Sequence, residues 1–262
     1  MAFRLDHIAF GFPGRRVFTD LSLILETGHF YGIIGPNGCG KTTLLDLMAR
    51  LRQPSAGQIR FGEQELTAIA KKKLARQIAL VPQNFYINFP FTAHEVVMMG
   101  RYPHIPRFSA PSSEDTRTVQ AVMESTDTEQ FSDRLITELS GGERQRVVFA
   151  RALAQNTPVM ILDEATSNMD INHALNLLSL TADRVNKKGT TVIAVFQDIN
   201  LAAMFCDQLI FMKDGCISAQ GPTNSVFSAD TVASIFHVKA MVRFEPFVDA
   251  NQALFHPGGL AE

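Results

Sequence analysis

Apolar and polar positions change in blocks along the second half of the chain. Uninterrupted apolar runs at residues 159–162 and 191–196 alternate with segments at 143–155 and 171–186, whose apolar residues recur at helical spacing. Continuous β-branched runs between amphipathic helices are typical of strands that are buried on both faces of a parallel sheet. The pattern therefore predicts an α/β fold, followed by a hairpin at 209–219.

The first third of the chain predicts strands, one of which ends abruptly. Short apolar runs at residues 21–25 and 30–34 flank a polar turn, and the second run leads into a glycine-rich loop and then a helical pattern from Thr43. This order of strand, glycine loop and helix is a recognisable structural unit. Further strands are predicted at 57–61 and 78–81.

The middle of the chain predicts mostly helix, and the end predicts nothing definite. Residues 92–137 are largely helical in pattern, with Ser112 and Asp115 at the spacing of a capping box. The last 25 or so residues are mixed in pattern and predict no particular element.

Composition and charge exclude several classes of protein. The chain has 262 residues, of which 46% are hydrophobic and 19% charged, so it is neither disordered nor fibrous. A net charge of -2 provides no overall positive field, and we expect no nucleic-acid partner. No apolar run reaches the roughly 18 residues of a membrane helix, and the first ten residues lack a signal core. Three scattered cysteines favour a reducing cytoplasm over a disulfide or zinc framework.

A phosphate-binding loop is the clearest chemical signal. The segment GPNGCGKTT matches G-x-x-x-x-G-K-[ST] between a predicted strand and a predicted helix, which is the context that the motif requires. Glycines let successive N–H groups surround a phosphate, and the helix dipole adds to the attraction. The residues predicted to bind are Gly35, Pro36, Asn37, Gly38, Cys39, Gly40, Lys41, Thr42 and Thr43.

Three side chains of this loop have distinct expected roles. Lys41 supplies a positive charge to the outer phosphates, and the Thr42 hydroxyl is placed to hold Mg²⁺. Cys39 lies inside the loop, where an exposed thiol would be open to alkylation. By contrast, Lys71–Lys73 and Arg15-Arg16 are interpreted as solvated surface charge.

Two acids follow the predicted strand at 159–162. Asp163 and Glu164 would lie at its C-terminal tip, where open α/β sheets bind ligands. Asp163 is expected to orient Mg²⁺, directly or through water, and Glu164 to accept the proton of an attacking water. The alternative, in which both acids only cap the next helix, is weakened because the same chain carries a phosphate loop.

A helix start with two glycines lies 23 residues before Asp163. Ser140 and Glu143 have the S-x-x-E capping spacing, which alone would explain a well-formed helix start. It does not explain Gly141 and Gly142, because each glycine in a helix costs roughly 1 kcal/mol. The close approach of a phosphate would explain both.

Together these segments resemble the nucleotide-binding subunit of an ATP-binding cassette (ABC) transporter. The resemblance covers the signature at 139–143, the Walker A loop at 35–43 and the Walker B strand at 159–164, and extends over about residues 3–240. It implies a P-loop core with a mostly parallel sheet, an N-terminal antiparallel β-subdomain and a helical subdomain.

The resemblance also implies domain bounds and ligands. The ATPase domain would cover residues 1–240, with the helical subdomain inserted at about 92–155 and a C-terminal tail at 241–262. ATP and Mg²⁺ are the implied ligands. A second copy would pack head to tail and sandwich two ATPs, so that Ser140 and Gly142 contact the γ-phosphate held by the partner's Lys41.

Further site residues follow from the resemblance. Gln83 occupies the Q-loop, where it would touch Mg²⁺ and signal to the membrane partner, and Phe12 is the aromatic expected to stack on adenine. The alternative for Phe12 is a place in the core of the β-subdomain. The D-loop at 167–170 ends in Asp170, although the family more often has Ala-Leu at 168–169; Ala165 replaces a frequent proline.

One position departs from the family in a way that affects chemistry. The residues after the predicted strand at 191–196 usually read His-Asp and here read Gln197-Asp198. In the family the histidine bonds the γ-phosphate and helps hold Glu164 in line, whereas Gln carries no proton that titrates near neutrality. We expect a slow ATPase. A natural variant and a substitution introduced to trap the ATP-bound dimer both account for Gln197.

The segment at 99–104 indicates which kind of transporter is served. MGRYPH resembles the ATPases of bacterial importers of iron chelates, haem and vitamin B12, with molybdate importers as relatives. Implied partners are two transmembrane permease subunits and, indirectly, an external substrate-binding protein, at the cytoplasmic face of the inner membrane. The alternatives are a soluble ABC ATPase acting on nucleic acid or ribosomes, disfavoured by a single cassette without a basic stripe, and a nucleotide switch without turnover.

Overall fold

The computed structural model describes residues 1–85, 87, 89–167 and 169–259. Its strands are β1 (Phe3–Phe12), β2 (Arg15–Leu25), β3 (Phe30–Ile34), β4 (Ala56–Phe61), β5 (Gln64–Glu65), β6 (Ile78–Val81), β7 (Val159–Asp163), β8 (Thr191–Val195), β9 (Gln208–Lys213), β10 (Cys216–Pro222), β11 (Val238–Glu245) and β12 (Ala250–Gly259). Its α-helices are α1 (Lys41–Met48), α2 (Lys71–Leu74), α3 (Ala93–Met98), α4 (Ser113–Ser125), α5 (Gly141–Gln155), α6 (Ile171–Lys188), α7 (Ile199–Phe205), α8 (Thr223–Val226) and α9 (Ala229–Phe236). Short 3-10 turns lie at Leu66–Ala68, Met99–Arg101, Glu129–Phe131 and Ile136–Glu138.

The chain divides into two compact units. Unit 1 comprises Met1–Ala68 and Thr191–Glu262, and unit 2 comprises Ile69–Thr190. Helices α3 to α5 and the turns between them lie in unit 2. The bounds expected for a helical subdomain, 92–155, remain a prediction.

Two sheets organise unit 1. An antiparallel sheet has the order β2-β1-β4-β5, and β3 pairs in parallel with both β8 and β9, while β10 continues from β9 as a hairpin. Every residue of β3 and of β8 is buried, which explains their continuous apolar pattern. The chain leaves the C-terminal end of β3 and enters α1 through the loop at residues 35–40.

Unit 2 combines a parallel strand pair with packed helices. Strand β6 pairs with β7 from Ile78↔Val159 to Val81↔Leu162, and all five residues of β7 are buried. Helix α5 packs against both α3 and α4. The predicted α/β fold with parallel strands, an antiparallel N-terminal sheet and a helical region is confirmed. Within the described residues, no helix has the length and apolar content needed to cross a membrane.

The end of the chain forms a hairpin that the sequence pattern did not predict. Strands β11 and β12 pair antiparallel, and α7 is fastened to β12 by two hydrogen bonds between the Asn200 amide and the Ala253 backbone, of 2.7 and 3.2 Å. The strand β11 does alternate in burial, but its outward positions carry both apolar and basic residues. That mixture hides the period-2 signal. Residues 260–262 of the predicted tail lie outside the described residues.

Candidate nucleotide-binding site

The glycines of the loop between β3 and α1 are required by packing. A β-carbon on Gly35 would lie 2.1 Å from the Met212 carbonyl oxygen, and one on Gly40 would lie 2.6 Å from the Phe18 ring. Gly40 also has φ +109°, a conformation that favours glycine, and it is the N-cap of α1. The loop therefore holds its backbone in one shape with the N–H groups at the helix start available to a phosphate.

Lys41 is held against this loop. Its Nζ donates to the carbonyl oxygens of Gly35 at 2.7 Å and Pro36 at 3.1 Å, and the residue is only 7% exposed. A buried ammonium requires such hydrogen-bond acceptors. Phosphate oxygens carry full charge and make shorter, stronger bonds, so they can replace these carbonyls. The next residue, Thr42, has an exposed side chain on the first turn of α1, whereas Thr43 is buried.

Cys39, whose reactivity the sequence leaves open, is buried. It is 6% exposed, and its sulfur lies 2.9 Å from the position of a β-carbon on Gly35, which shows how closely it packs under the loop. Burial raises the pKa of this thiol, against the opposing effect of Lys41. Burial and a raised pKa both disfavour alkylation of this thiol.

Arg15 contributes to the loop, although its sequence environment predicted only solvated charge. Its side chain is exposed, and its Nη2 donates to the Gly38 carbonyl oxygen at 2.9 Å. The contact joins the antiparallel sheet to the phosphate loop across 23 residues of sequence. No local pattern signals such a contact, which is why the sequence did not reveal it.

Phe12 lies at the end of β1 and is 39% exposed. Phe10 meets its ring edge-on, with centroids 5.3 Å apart, and the Arg52 guanidinium lies over the ring at 4.8 Å. Phe12 also lines a cavity of about 420 Å³ together with Arg15 and Arg16. An exposed ring beside a cavity is an arrangement that can stack on a base.

The predicted acids of unit 2 lie together at the end of β7. Asp163 is 4% exposed and Glu164 is 8% exposed. Glu164 has φ +48°, an uncommon conformation for a residue with a β-carbon, and its carbonyl oxygen accepts from the Ser167 hydroxyl at 2.9 Å. Backbone strain of this kind costs on the order of 1–3 kcal/mol and is concentrated at functional sites.

Gln83 and Glu164 are joined directly. The Gln83 Nε2 donates to Oε2 of Glu164 at 2.6 Å, across 81 residues of sequence. The structure therefore brings the predicted Q-loop residue and the predicted base to one place, together with Asp163 on the adjacent strand end.

Each unit carries oxygen donors of the kind that Mg²⁺ prefers. Magnesium is usually held by one or two protein groups together with substrate phosphates. Unit 2 has the Asp163 carboxylate and the Gln83 amide oxygen, and unit 1 has the Thr42 hydroxyl; that these groups hold Mg²⁺ stays a prediction. Among the described residues, no three or more His, Cys, Asp or Glu side chains cluster as a metal site.

The helix start at Ser140 has the predicted capping box. The Ser140 Oγ accepts from the Glu143 N–H at 3.4 Å, and Glu143 Oε2 accepts from the Ser140 N–H at 2.8 Å. These Ser140 bonds lower the pKa of the Glu143 carboxyl. A β-carbon on Gly141 would meet no atom within 4 Å. Among the described residues, no steric contact therefore requires a glycine at 141.

The D-loop residues are only partly described. Asp170 caps α6 by accepting from the His173 N–H at 3.0 Å, and this bond and that to the His173 ring lower the pKa of its carboxyl. The departure from the family at Asn168 lies outside the described residues. At the other departure, the Ala165 carbonyl oxygen accepts from Gln145 at 3.2 Å.

Gln197 lies between β8 and α7, with an exposed side chain. Its neighbour Asp198 caps α7 by accepting from the N–H groups of Asn200 and Leu201, at 2.8 and 3.2 Å. The cap fixes the chain direction at this position. Gln197 thus follows the buried strand β8 closely, and its role at the γ-phosphate stays a prediction.

Comparisons with known proteins identify related sequences. The sequence profile of the ABC transporter family matches residues 18–167. The chain is 40% identical to the cobalamin import ATP-binding protein of Halobacterium salinarum over 90% of this chain, and spans 59% of that relative's length. It is 37% identical to the ferric enterobactin transport ATP-binding protein of Escherichia coli, over 93% of this chain and 90% of the relative.

Solved structures resemble the chain throughout. A transporter assigned to the metal-chelate type of ABC transporter, in an inward-facing conformation, has a TM-score of 0.82 at 26% identity and covers 99% of this chain and 98% of its own. The dimeric ATP-binding cassette MJ0796, bound to ADP and phosphate after hydrolysis, has a TM-score of 0.75 at 27% identity over 84% of this chain and 98% of its own. From its motifs, its fold and these matches, the chain belongs to the ABC transporter family.

Proposed function

We propose that the chain binds and hydrolyses ATP as the nucleotide-binding subunit of an importer for an iron chelate, haem or cobalamin. The observation that carries the proposal is the glycine-enforced loop with Lys41 folded onto it, since it forms a preorganised triphosphate site. The names of the relatives point to import: they include cobalamin, ferric enterobactin and hemin ATP-binding proteins.

In the proposed mechanism, the loop binds the triphosphate and the acids act on water. Lys41 exchanges its carbonyl acceptors for outer phosphate oxygens, and Thr42 and Asp163 would hold Mg²⁺. The chemistry that the ion would supply there is neutralisation of the charge that develops on the transferred phosphoryl group. Glu164 accepts the proton of the attacking water. Its burial keeps bulk water away from the carboxylate.

Gln83 is proposed to connect the base to the metal. In the structure its Nε2 donates to Oε2 of Glu164 at 2.6 Å, and this bond orients the carboxylate, whose two oxygens can both accept protons. The amide oxygen of the same side chain would be a ligand for Mg²⁺, so Gln83 would link nucleotide binding to the orientation of the base.

Gln197 is proposed to make the enzyme slow. Its amide can donate one hydrogen bond to the γ-phosphate, but it cannot carry the titratable proton of a histidine. The loss of one preorganised contact to developing charge costs roughly 10²- to 10³-fold in rate. ATP binding depends on the loop of unit 1 and is expected to survive.

The proposed assembly is a head-to-tail dimer that serves two permease subunits. The signature residues Ser140, Gly141 and Gly142 would contact a nucleotide held by the second copy. Support comes from the open space around Gly141 and from the related cassette that is a dimer with ADP and phosphate. An external binding protein would deliver the cargo, and the subunit would lie at the cytoplasmic face of the bacterial inner membrane.

The segment at 99–104 is proposed to lie at the permease contact, and its neighbours anchor it to α4 and α5. Arg101 is 8% exposed, and its Nε pairs with Asp115 Oδ1 at 2.8 Å while Nη1 donates to the Ala154 carbonyl oxygen at 2.8 Å. A β-carbon on Gly100 would lie 2.2 Å from the Arg151 carbonyl oxygen, so the segment packs tightly on α5. Tyr102 remains 56% exposed beside these anchors.

Phosphate release with Mg²⁺ and ATP tests the proposal. We expect slow turnover by the chain and none above background by Lys41→Ala. We expect the Gln197→His variant to be faster by roughly 10²-fold, because it restores one contact to the γ-phosphate. Equal rates for wild type and Gln197→His would refute the account of this position, and activity in Lys41→Ala would refute the site.

The importer assignment needs its own experiment. Co-expression with the permease pair of a metal-chelate importer should give a membrane complex in which cargo and binding protein stimulate ATP hydrolysis. A chain that instead sediments with ribosomes and never with membranes would support the soluble alternative.

A further inference from the structure

Arg52 connects the base-stacking residue to the phosphate-binding helix. Its guanidinium carbon lies 4.8 Å from the centroid of the Phe12 ring, within the range of a cation–π contact. Its Nε pairs with Asp46 Oδ2 at 2.9 Å. Asp46 belongs to α1, the helix that begins at Lys41. A chain of contacts therefore runs from that helix through Arg52 to the ring.

Phe10 and a cavity are the other neighbours of the Phe12 side chain. Phe10 touches the ring edge-on at an interplanar angle of 88°. The cavity of about 420 Å³ has Phe12 in its wall but not Arg52. The guanidinium therefore lies over the ring without lining the cavity, and Phe12 as a whole residue is 39% exposed.

The same cavity adjoins the phosphate loop. Arg15 lies in its wall and donates to the Gly38 carbonyl oxygen at 2.9 Å. A cavity of this volume falls in the range of small-molecule sites, roughly 300–1,000 Å³. A base attached to a triphosphate in the loop therefore has a nearby space to enter, with the Phe12 ring in its wall.

We infer that Arg52 is a positioning residue for the nucleobase, which it serves by fixing the Phe12 ring from the face that the base does not use. The inference rests on the proposed function, because it requires a nucleotide in the loop. An exposed aromatic ring loses rotational freedom when a base stacks on it. Arg52, held by Asp46, restricts the ring before the base arrives and so lowers that cost.

Isothermal titration with Mg-ATP and with Mg-tripolyphosphate, which has no base, separates this role from simple charge. Arg52→Ala should weaken ATP binding roughly 2- to 5-fold, the range of an exposed cation–π contact, and leave tripolyphosphate binding unchanged. Arg52→Lys should restore part of the loss. In a Phe12→Ala background, Arg52→Ala should have no further effect on ATP.

Arg60→Ala is the matched control. Arg60 is another exposed arginine of unit 1, and its Nη2 donates to a backbone carbonyl oxygen, that of Glu63, at 2.7 Å. The Arg60→Ala variant should bind ATP and tripolyphosphate as wild type does. That result would show that loss of one positive surface charge does not by itself change either affinity.

Three results would overturn the inference. The first is that Arg52→Ala lowers the affinities for ATP and for tripolyphosphate equally. The second is that Arg52→Ala lowers the ATP affinity equally with Phe12 and with Ala at position 12, and the third is that Arg52→Ala leaves the ATP affinity unchanged. In each case wild-type ATP binding leaves the proposed function standing. If wild type binds neither ligand, the proposed function and the inference fail together.

Discussion

Replacing Gly141 by alanine is expected to change the stability of the folded chain and the rate of ATP hydrolysis in opposite directions. Gly141 is the first residue of α5, and a β-carbon there would meet no atom within 4 Å. The substitution therefore has no steric cost inside the chain. Alanine in a helix is favoured over glycine by roughly 0.5–1 kcal/mol, so the folded chain should gain stability.

The same methyl group should impair hydrolysis. If a nucleotide held by the second copy approaches the Gly141 backbone, the methyl group overpacks that contact. Overpacking costs about 1–3 kcal/mol, which corresponds to a rate loss of roughly 5- to 150-fold when it acts in the transition state. We therefore expect a variant that is more stable and less active.

Two assays on one preparation test this expectation. Thermal unfolding should show a midpoint higher by roughly 1–4 °C, and phosphate release should fall within the range given above. Gly100→Ala is a contrasting variant, because its β-carbon would lie 2.2 Å from the Arg151 carbonyl oxygen and should lower the midpoint. Unchanged hydrolysis in a stabilised Gly141→Ala variant would refute the close approach of a partner nucleotide.

Three further predictions concern single groups. Hydrogen bonds from Ser112 are the main cause that lowers the pKa of the Asp115 carboxyl to about 2, so the stabilisation of the folded chain by this carboxylate is complete above about pH 5 and lost as the pH falls towards 2. Urea midpoints of wild type and Asp115→Asn should therefore differ at pH 6 and converge at low pH. A full difference that persists at pH 2 would contradict this. Gly40→Ala places a β-carbon 2.6 Å from the Phe18 ring, at a backbone position whose φ of +109° disfavours alanine. This variant should lose ATP binding, as measured by titration. In a thiol titration of the folded chain, exposed Cys216 should react first and Cys39 only slowly, because burial raises its pKa; fast reaction of two thiols would contradict the packing of the loop.

The sequence predicted those parts of the fold whose residues are buried on both faces or constrained by a motif. Strand β3 was predicted with its observed bounds because every residue in it is buried, so its apolar run is uninterrupted. The capping boxes at Ser112 and Ser140 were predicted because a cap needs only residues three apart. The C-terminal hairpin was missed because the outward positions of its strand Val238–Glu245 carry apolar residues as well as basic ones, which hides the period-2 pattern.

Parts of the candidate site had no local signal. The bond between Gln83 and Glu164 joins residues 81 apart, and the contact of Arg15 with the loop joins residues 23 apart. Such pairs form only when separate elements meet, so their spacing carries no pattern. The burial of Cys39 was missed for a similar reason: it depends on how closely the thiol packs under a neighbouring glycine of the same loop.

The most direct test of the proposed ATP-sandwich dimer is to measure the molecular mass of the Glu164→Gln variant in the presence of nucleotide. Without the carboxylate to accept a proton, ATP should persist, and light scattering after gel filtration should show a monomer with ADP and a dimer with Mg-ATP. We predict that adding Ser140→Arg to Glu164→Gln prevents dimer formation, because the arginine side chain obstructs the contact with the nucleotide of the second copy. A chain that binds ATP and stays monomeric would contradict the proposed sandwich of two nucleotides.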